Sequence, residues 1–184
     1  MLLTWYGPRY GIPTKGSGDM SKIGGVVVAG VLAVGGIGAY EKWGKGGEDN
    51  TVRDQSGEIV EQGELGIFVL SIGDCFNADS TGIIFTTTGV PCTSSHKDEL
   101  AAEYTLMGDI FPGRTSIDSQ ADATCPPLIS SYVGDVDKVL LKYPNFSWKP
   151  IAPSVESFAA GDRTVYCVLG LAGEESLSES LRNF

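Results

Sequence analysis

The sequence predicts an α+β protein with a single N-terminal transmembrane helix, followed by a small disulfide-stapled antiparallel-sheet domain with helices on one side. Residues 23–40 are an uninterrupted run of 18 residues without a charge, most of them apolar. Segments typical of strands and of helices then follow one another between residues 67 and 171. All four cysteines also follow the apolar run, and they are Cys75, Cys92, Cys125 and Cys167.

The apolar run 23–40 has the length of a membrane-spanning helix. At about 1.5 Å per residue it spans about 27 Å, close to the roughly 30 Å hydrocarbon core of a bilayer. The alternative is a cleaved signal peptide, whose apolar core of about 7–15 residues is shorter. We therefore predict an uncleaved anchor, preceded by a short cytoplasmic segment at residues 1–22. Whether translation starts at Met1 or at Met20 is left open.

The orientation of this anchor follows from its flanks and from the cysteines. Arg9, Lys15 and Lys22 precede the run, which is a modest bias toward a cytoplasmic N-terminus. Cysteines confined to one side of the membrane favour an oxidising compartment for that side. We expect a single-pass protein of the cell membrane with an extracytoplasmic C-terminal domain.

One face of the predicted anchor consists of small residues. Gly25, Ala29, Ala33 and Gly36 recur at steps of four, four and three residues. Small residues on one face let a second helix approach closely, so we expect packing against a helix of a membrane-protein partner. The alternative is that glycine and alanine are simply common in membrane helices.

The part of the chain after the anchor is acidic. From Glu41 onward, 10 Lys and Arg stand against 22 Asp and Glu, which gives a formal charge of −12. Such a surface repels nucleic-acid phosphates and anionic lipid headgroups. It favours a solvent-facing domain or a basic partner surface.

Four cysteines in a small exported domain predict two disulfides. Three pairings are possible, and we favour Cys75–Cys92, between neighbouring strands, with Cys125–Cys167, between a helix and the last strand. A zinc site is the rival interpretation, but no two cysteines have the short spacing of such sites. We expect no metal and no cofactor.

The elements of the domain can be placed in order. Residues 41–66 are rich in glycine and scattered charges, which predicts a flexible linker before a domain at 67–184. Apolar and β-branched residues predict strands at 67–72, 83–90 and 100–107, although the alanines of the third segment leave a helix open. Ile59 and Val60 are a weak signal for a short strand within the linker.

The second half of the domain is predicted to be mixed. A helix at 116–125, capped by Thr115 or Ser116, is expected to be interrupted at Pro126 and Pro127, with a further helical turn after them. The remaining elements are a strand at 139–143, a helix at 153–160 with Ser154 as cap and Gly161 at its end, a central strand at 163–171, and a polar tail at 176–184 that packs extended or hangs free.

Few residues suggest catalysis. His96 is the single histidine, and a base role toward Ser94 or Ser95 is disfavoured because residues so close in sequence rarely reach nucleophile–base geometry. Asp135 and Asp137 resemble a fragment of a calcium loop that lacks its glycine and terminal glutamate. We interpret all three as structural residues.

Two further patterns favour structural roles. The sequence Gly161-Asp162-Arg163 predicts a turn shaped by Asp162, with Arg163 paired locally. The aromatic residues Tyr143, Phe146 and Trp148 are either an exposed contact patch or, as we favour for the last two, part of the core.

An ordered set of motifs resembles a known family. The motifs are Ile72-Gly73-Asp74-Cys75-Phe76, Val90-Pro91-Cys92 with His96 and Glu99, Phe111-Pro112-Gly113, Ser131-Tyr132-Val133-Gly134, Pro153 with Glu156, Gly161-Asp162-Arg163, Val165-Tyr166-Cys167 and Ser180-Leu181-Arg182. Together they resemble the septum-formation-related domain of actinobacterial membrane proteins. The resemblance implies a membrane-anchored outer domain with a cysteine framework and no assigned catalysis. The chain departs from it at Phe158, where tryptophan is common, and in a tail that lacks a usual glycine.

We expect a non-enzymatic accessory subunit of a larger actinobacterial membrane complex of the cell envelope. The candidates are the respiratory cytochrome bc–oxidase supercomplex and the machinery of division or wall synthesis. The alternatives are an extracytoplasmic binding module for a small molecule or wall polymer, and a hydrolase that uses His96.

Overall fold

The computed structural model describes residues 47–78, 85–173 and 175–184. The predicted segment 1–22, the predicted anchor 23–40 with its small-residue face, and residues 41–46 lie outside these ranges. Within the described ranges, no helix combines the length and apolar character that a membrane crossing requires.

The described chain is an antiparallel α+β domain. In chain order the strands are β1 (Val52–Arg53), β2 (Ile59–Glu61), β3 (Gly63–Gly66), β4 (Cys75–Asn77), β5 (Thr86–Val90), β6 (Asp98–Thr105), β7 (Phe146–Ile151) and β8 (Thr164–Leu171). The helices are α1 (Arg114–Val133), α2 (Val136–Lys142) and α3 (Val155–Ala159). Six strands form one sheet in the order β3-β5-β4-β6-β8-β7, and β1 pairs with β2 beside it.

The two faces of the sheet are covered by different parts of the chain, as the alternation along β8 shows. Val165, Cys167 and Leu169 pack with buried residues of the helices. Tyr166 and Val168 point the other way and pack against a layer from the N-terminal segment of the described chain. That layer consists of Ile59, Leu65, Ile67 and Leu70.

The predicted linker is wrong over residues 47–66, because this segment contains β1, β2 and β3. Leu65 is fully buried, and β3 pairs with β5 through Gly63 and Gly89. A Cβ at Gly63 would overlap the Asn50 carbonyl, and one at Gly89 would press on Thr51. These glycines allow strands to approach closely, which composition alone cannot distinguish from flexibility.

Two predicted strands also differ from the structure. Residues 67–72 were expected to form a strand, but Ile67–Val69 is a 3₁₀ turn that carries Ile67 and Leu70 over the sheet face. Residues 139–143 were expected to form a strand, but they belong to α2 and its C-terminal cap. The Asp135 carboxylate accepts a bond from the Lys138 amide (3.0 Å) and starts that helix early enough to bury Val139.

Two further strands were not predicted from the sequence, β4 (Cys75–Asn77) and the edge strand β7 (Phe146–Ile151). Phe146 is buried and Trp148 packs against the same core cluster, so the core interpretation of these two aromatics is correct. Pro150 lies in β7, and a proline is tolerated there because an edge strand can lack one ladder donor.

The helix α1 is continuous through Pro126 and Pro127, contrary to the predicted interruption. Its buried residues recur every four positions, from Ile117 to Val133. Both prolines lie on the exposed face, where the carbonyls that lose an intrahelical donor can bond to water. The predicted caps Thr115 and Ser116 are also wrong, because the helix starts at Arg114 with Gly113 at the cap position.

Three other predictions are confirmed. Ser154 caps α3 in a reciprocal capping box with Ser157, and Gly161 follows this helix with φ +103°. The strand near the C-terminus is central, because β8 lies between β6 and β7. The disulfides are Cys75–Cys92 and Cys125–Cys167, which is the favoured pairing.

Replacing Pro127 with Ala should stabilise the domain by about 1–3 kcal/mol. The alanine restores an N–H donor to the carbonyl of Ala123 and removes the clash of the proline ring with it. Urea unfolding followed by circular dichroism measures the change.

Pro112 provides the matched control, because it lies in the loop before α1. Pro112→Ala should leave stability unchanged or lower it by up to about 1 kcal/mol, since it only frees the unfolded chain. An unchanged unfolding free energy in Pro127→Ala would contradict the interpretation of a helix strained at its exposed prolines.

Candidate functional site

Glu99, on β6, is the centre of a buried polar cluster. Its side chain is completely buried, and the strand pairing places it opposite Cys75 of β4. Its carboxylate oxygen Oε1 accepts bonds from the hydroxyls of Tyr132 and Ser180, both at 2.6 Å. The other oxygen, Oε2, accepts the Leu181 amide at 2.9 Å. One carboxylate therefore fixes the end of α1 and the C-terminal tail to the sheet.

The tail is pinned at further points. Leu177 exchanges two backbone hydrogen bonds with His96, at 2.9 and 2.8 Å, and both Leu177 and Leu181 are buried. The predicted tail is therefore packed, and the structure excludes a free one over the described residues 175–184.

Arg182, close to the end of the tail, makes two further contacts with the domain. Its Nη2 donates to the Ile72 carbonyl (2.6 Å), and its guanidinium lies over the Tyr132 ring at 5.3 Å. The guanidinium also occupies the space that a Cβ at Gly73 would need, and Gly73 has a φ of +100°. Glycine is therefore required at position 73 both for backbone conformation and for contact with the tail.

A second buried carboxylate lies beside Gly73. Asp74 forms a bidentate pair with Arg53 (2.6 and 2.9 Å) and accepts the Ser71 amide at 2.8 Å. The hydrogen bonds that Arg53 donates to Asp74 raise the pKa of its guanidinium further above the usual value, against the opposing effect of burial. This pair joins β1 to the loop before β4, so it ties the N-terminal hairpin to the cluster.

His96 is the third buried polar residue of this region. Its side chain is fully buried, and Nδ1 donates to the Ser94 carbonyl at 2.8 Å. Nε2 is buried without a hydrogen-bond partner. The contact runs to the backbone carbonyl of Ser94, so the geometry of a serine–histidine pair does not form here.

The other sequence candidates have local roles. Asp135 caps α2 and Asp137 lies in its first turn, which accounts for both without a calcium ion. Asp162 accepts the Thr164 amide (3.0 Å), as expected for a turn residue. Arg163 donates to the Phe158 carbonyl and stacks on that ring at 3.5 Å, the local pairing that was predicted.

The described residues form two shallow clefts. One of about 190 Å³ is lined by Glu64, Asn77, Thr86, Thr87 and Thr88. The other, of about 240 Å³, lies beside the ion pair of Arg53 and Asp74 and reaches Arg182. Both are smaller than the roughly 300–1,000 Å³ that is usual for small-molecule sites.

Sequence reasoning missed this cluster as a site. Arg53 fell in the predicted linker, and Glu99, Tyr132 and Arg182 are 83 residues apart from first to last in the chain. The one available signal was the ordered set of motifs, since Gly73-Asp74-Cys75, His96 with Glu99, Tyr132 and Ser180-Leu181-Arg182 meet at this point.

The fold and this cluster define a disulfide-stapled α+β domain whose buried carboxylates fix separate parts of the chain to one another. Residues 45–167 match a family model described as septum formation, and this match covers more than half of the chain. The protein therefore belongs to the septum-formation family, and the resemblance inferred from its motifs is confirmed. The match ends before the motif at Ser180–Arg182. No similar curated protein and no similar solved structure were found.

Replacing Glu99 with Ala should destabilise the domain by at least about 2 kcal/mol. The change leaves the Leu181 amide and the hydroxyls of Tyr132 and Ser180 without their acceptor. Amide hydrogen exchange should then show loss of protection at Leu177 and Leu181 before the sheet unfolds.

Glu103→Ala is the matched control, because Glu103 lies on the same strand but is exposed. It should change stability by no more than about 0.5 kcal/mol. Equal effects of the two substitutions would refute a special role of the buried carboxylate.

The stability of the domain at alkaline pH should depend on the titration of Tyr132. Burial and the neighbouring Glu99 carboxylate raise the pKa of Tyr132 above its usual value of 10.0. The stability that this phenol contributes is fully present below pH 10 and is lost as pH rises toward the folded-state pKa, since the unfolded chain releases the proton first. Burial also raises the pKa of Tyr166, to about 12, so part of the slope belongs to that residue.

Tyr132→Phe should therefore unfold at lower urea at neutral pH but lose stability less steeply above pH 10. Urea midpoints measured at a series of pH values test this. A slope identical to that of the wild type would show that Tyr132 does not titrate differently in the folded state.

Proposed function

We propose that this protein is a non-enzymatic, membrane-anchored interaction subunit of a larger complex of the cell envelope, with its domain outside the cytoplasm. The observation that carries the proposal is an exposed apolar loop between β6 and α1. Met107 and Ile110 are 86% and 85% exposed on this loop. Single exposed apolar residues are ordinary, and what distinguishes these two is the fixed conformation of the loop that carries them.

Hydrogen bonds and an aromatic contact hold this loop against the rest of the domain. Leu106 is buried and its amide bonds to the Arg163 carbonyl at 2.8 Å. The Arg163 side chain in turn donates to the Gly108 carbonyl at 3.2 Å. Phe111 packs edge-on against Phe158, with ring centroids 5.5 Å apart. The two apolar side chains are thus presented on an ordered support, and little ordering entropy opposes their burial by a partner.

An apolar surface on another subunit is the occupant that this loop fits. Burial of a Met and an Ile side chain contributes about 1.5–3 kcal/mol each. The chain from Glu41 onward is acidic, and every Lys and Arg of the described residues already has a protein partner. A partner with an apolar centre and a basic rim is therefore favoured over an anionic lipid surface.

Two features support the location and the type of complex. Two disulfides are typical of domains that fold in an oxidising compartment. The family description, septum formation, makes the machinery of division and wall synthesis the first complex to test, ahead of the respiratory supercomplex. The alternative of a small-molecule or wall-polymer module has less support, because the two clefts described above are smaller than usual small-molecule sites.

Capture of the tagged full-length protein in mild detergent, with mass-spectrometric identification of the recovered membrane proteins, tests the proposal. Met107→Ser with Ile110→Ser should reduce partner recovery at least about tenfold while unfolding as the wild type does, because both side chains are exposed.

Leu141→Ser is the matched control, since Leu141 is 84% exposed but lies on α2. It should recover partners as the wild type does. A wild-type protein that is monomeric in every mild detergent would refute the accessory-subunit proposal, and equal losses in both variants would refute the role of the loop.

A further inference from the structure

Three potential metal ligands meet where the Cys75–Cys92 disulfide adjoins the buried polar residues around Glu99. The sulfur of Cys75, a ring nitrogen of His96 and a carboxylate oxygen of Glu99 all lie within 4.8 Å of one another. Cys92 brings a second sulfur through its bond to Cys75. We call these four residues the Cys75 cluster.

His96 is oriented as a metal-binding histidine is. Its Nδ1–H donates to the Ser94 carbonyl, which leaves the lone pair on Nε2. A bond from one ring nitrogen to a backbone carbonyl is the usual support of a histidine that ligates through the other. Nε2 is buried without any partner, which is costly unless a further group satisfies it.

Glu99 keeps one position open. Oε1 accepts two hydroxyls, whereas Oε2 accepts only the Leu181 amide. A carboxylate oxygen has two lone pairs, so Oε2 can bind one more group without loss of its present bond.

The two cysteines differ in accessibility. Cys75 is fully buried, whereas Cys92 is partly exposed in the loop after β5. A thiolate can therefore reach the Cys92 sulfur, and Cys75 is the sulfur released into the cluster. The Cα atoms are 5.2 Å apart, so the two side chains can open to the roughly 3.8 Å between thiolates in a tetrahedral zinc site.

We propose that the Cys75 cluster is a redox-gated zinc site, closed as a disulfide and opened by a dithiol. The dithiol gives up two electrons and two protons and becomes a disulfide, while the Cys75–Cys92 bond is broken to two thiols. Zn²⁺ then displaces the two thiol protons and is held by both sulfurs, His96 Nε2 and Glu99 Oε2. This inference does not rest on the proposed function.

Zinc is the cation that this donor set favours. Two thiolates and one imidazole are soft or borderline ligands, which disfavours Ca²⁺ and Mg²⁺. A fourth ligand from a carboxylate completes a tetrahedral shell. The ligand atoms of Cys75, His96 and Glu99 lie within 4.8 Å of one another and need to draw together by only about 1 Å.

The test uses the full-length protein in detergent. A phosphine reductant opens the disulfides, and alkylation with mass spectrometry counts the thiols. The Cys125–Cys167 pair is fully buried, so Cys75–Cys92 should be reduced first. The two-thiol form should bind one Zn²⁺ per chain in competition with a chromophoric chelator, and the oxidised form should bind none. Co²⁺ in place of zinc should give intense tetrahedral d–d bands with thiolate charge transfer.

His96→Gln should weaken zinc binding by more than about 100-fold, since even a residue that only supports a ligand contributes about 10–100-fold. Glu103→Gln, at an exposed residue of the same strand, should bind zinc as the wild type does. If reduction opens both disulfides, the same comparison applies to the four-thiol protein.

The proposal is overturned if the reduced wild type binds no zinc, or if His96→Gln binds it equally well. Weak octahedral cobalt spectra in the wild type would also overturn it, and this reading does not depend on the folding of any variant.

Discussion

The three hydrogen bonds to Glu99 connect parts of the chain that are far apart in sequence. They join β6, in the middle of the sheet, to the end of α1 and to the C-terminal tail. A buried carboxylate is costly to desolvate, so its position is stable only when nearly all of its acceptor sites are used. If the tail detached, the Glu99 carboxylate would lose hydrogen bonds that offset its desolvation. The C-terminal residues thus belong to the folded core even though they contain no regular secondary structure of their own.

The same principle organises the charges of the domain. Asp74 is buried against Arg53, and Asp98 is buried against Lys149 at 2.6 Å. Lys142 and Tyr143 both bond to Glu179 in the tail, and these bonds lower the pKa of its carboxyl. The described Lys and Arg side chains are therefore paired within the domain. The charge that remains unpaired at the surface is negative. An acidic exterior with a few ordered apolar side chains suits recognition of a protein surface better than adhesion to anionic lipid.

The sequence predicts the parts of the fold that local patterns encode. Ser154 and Gly161 bound α3 as expected, because capping residues act within one helical turn. The alternating pattern at 163–171 locates β8 correctly, and the predicted central position agrees with its place between β6 and β7. The cysteine pairing is correct, and for Cys125–Cys167 both elements, a helix and the last strand, were predicted. For Cys75–Cys92 only the strand before Cys92 was predicted, because Cys75 lies in β4, which was not.

The errors arise where tertiary contacts outweigh local propensity. Pro126 and Pro127 indicate a break, yet the packing of Ala121, Cys125 and Ile129 keeps α1 continuous. Gly63 and Gly89 indicate flexibility, yet they serve the close approach of neighbouring strands. The hydrogen bonds around Glu99 cannot be predicted from any single segment, because Glu99 and its partners come from β6, α1 and the tail.

The two disulfides have different surroundings, and this difference bears on what each contributes. Cys125–Cys167 is fully buried between α1 and β8 and adds a covalent link to a contact that packing already makes. Cys75–Cys92 lies at the margin, beside His96 with its unpartnered nitrogen. A purely structural bridge does not need a buried imidazole with an unused lone pair next to it, since that lone pair is itself destabilising. A buried polar atom without a partner is tolerated where a second state of the protein gives that atom a partner. At this site the second state is the one in which the Cys75–Cys92 disulfide is open.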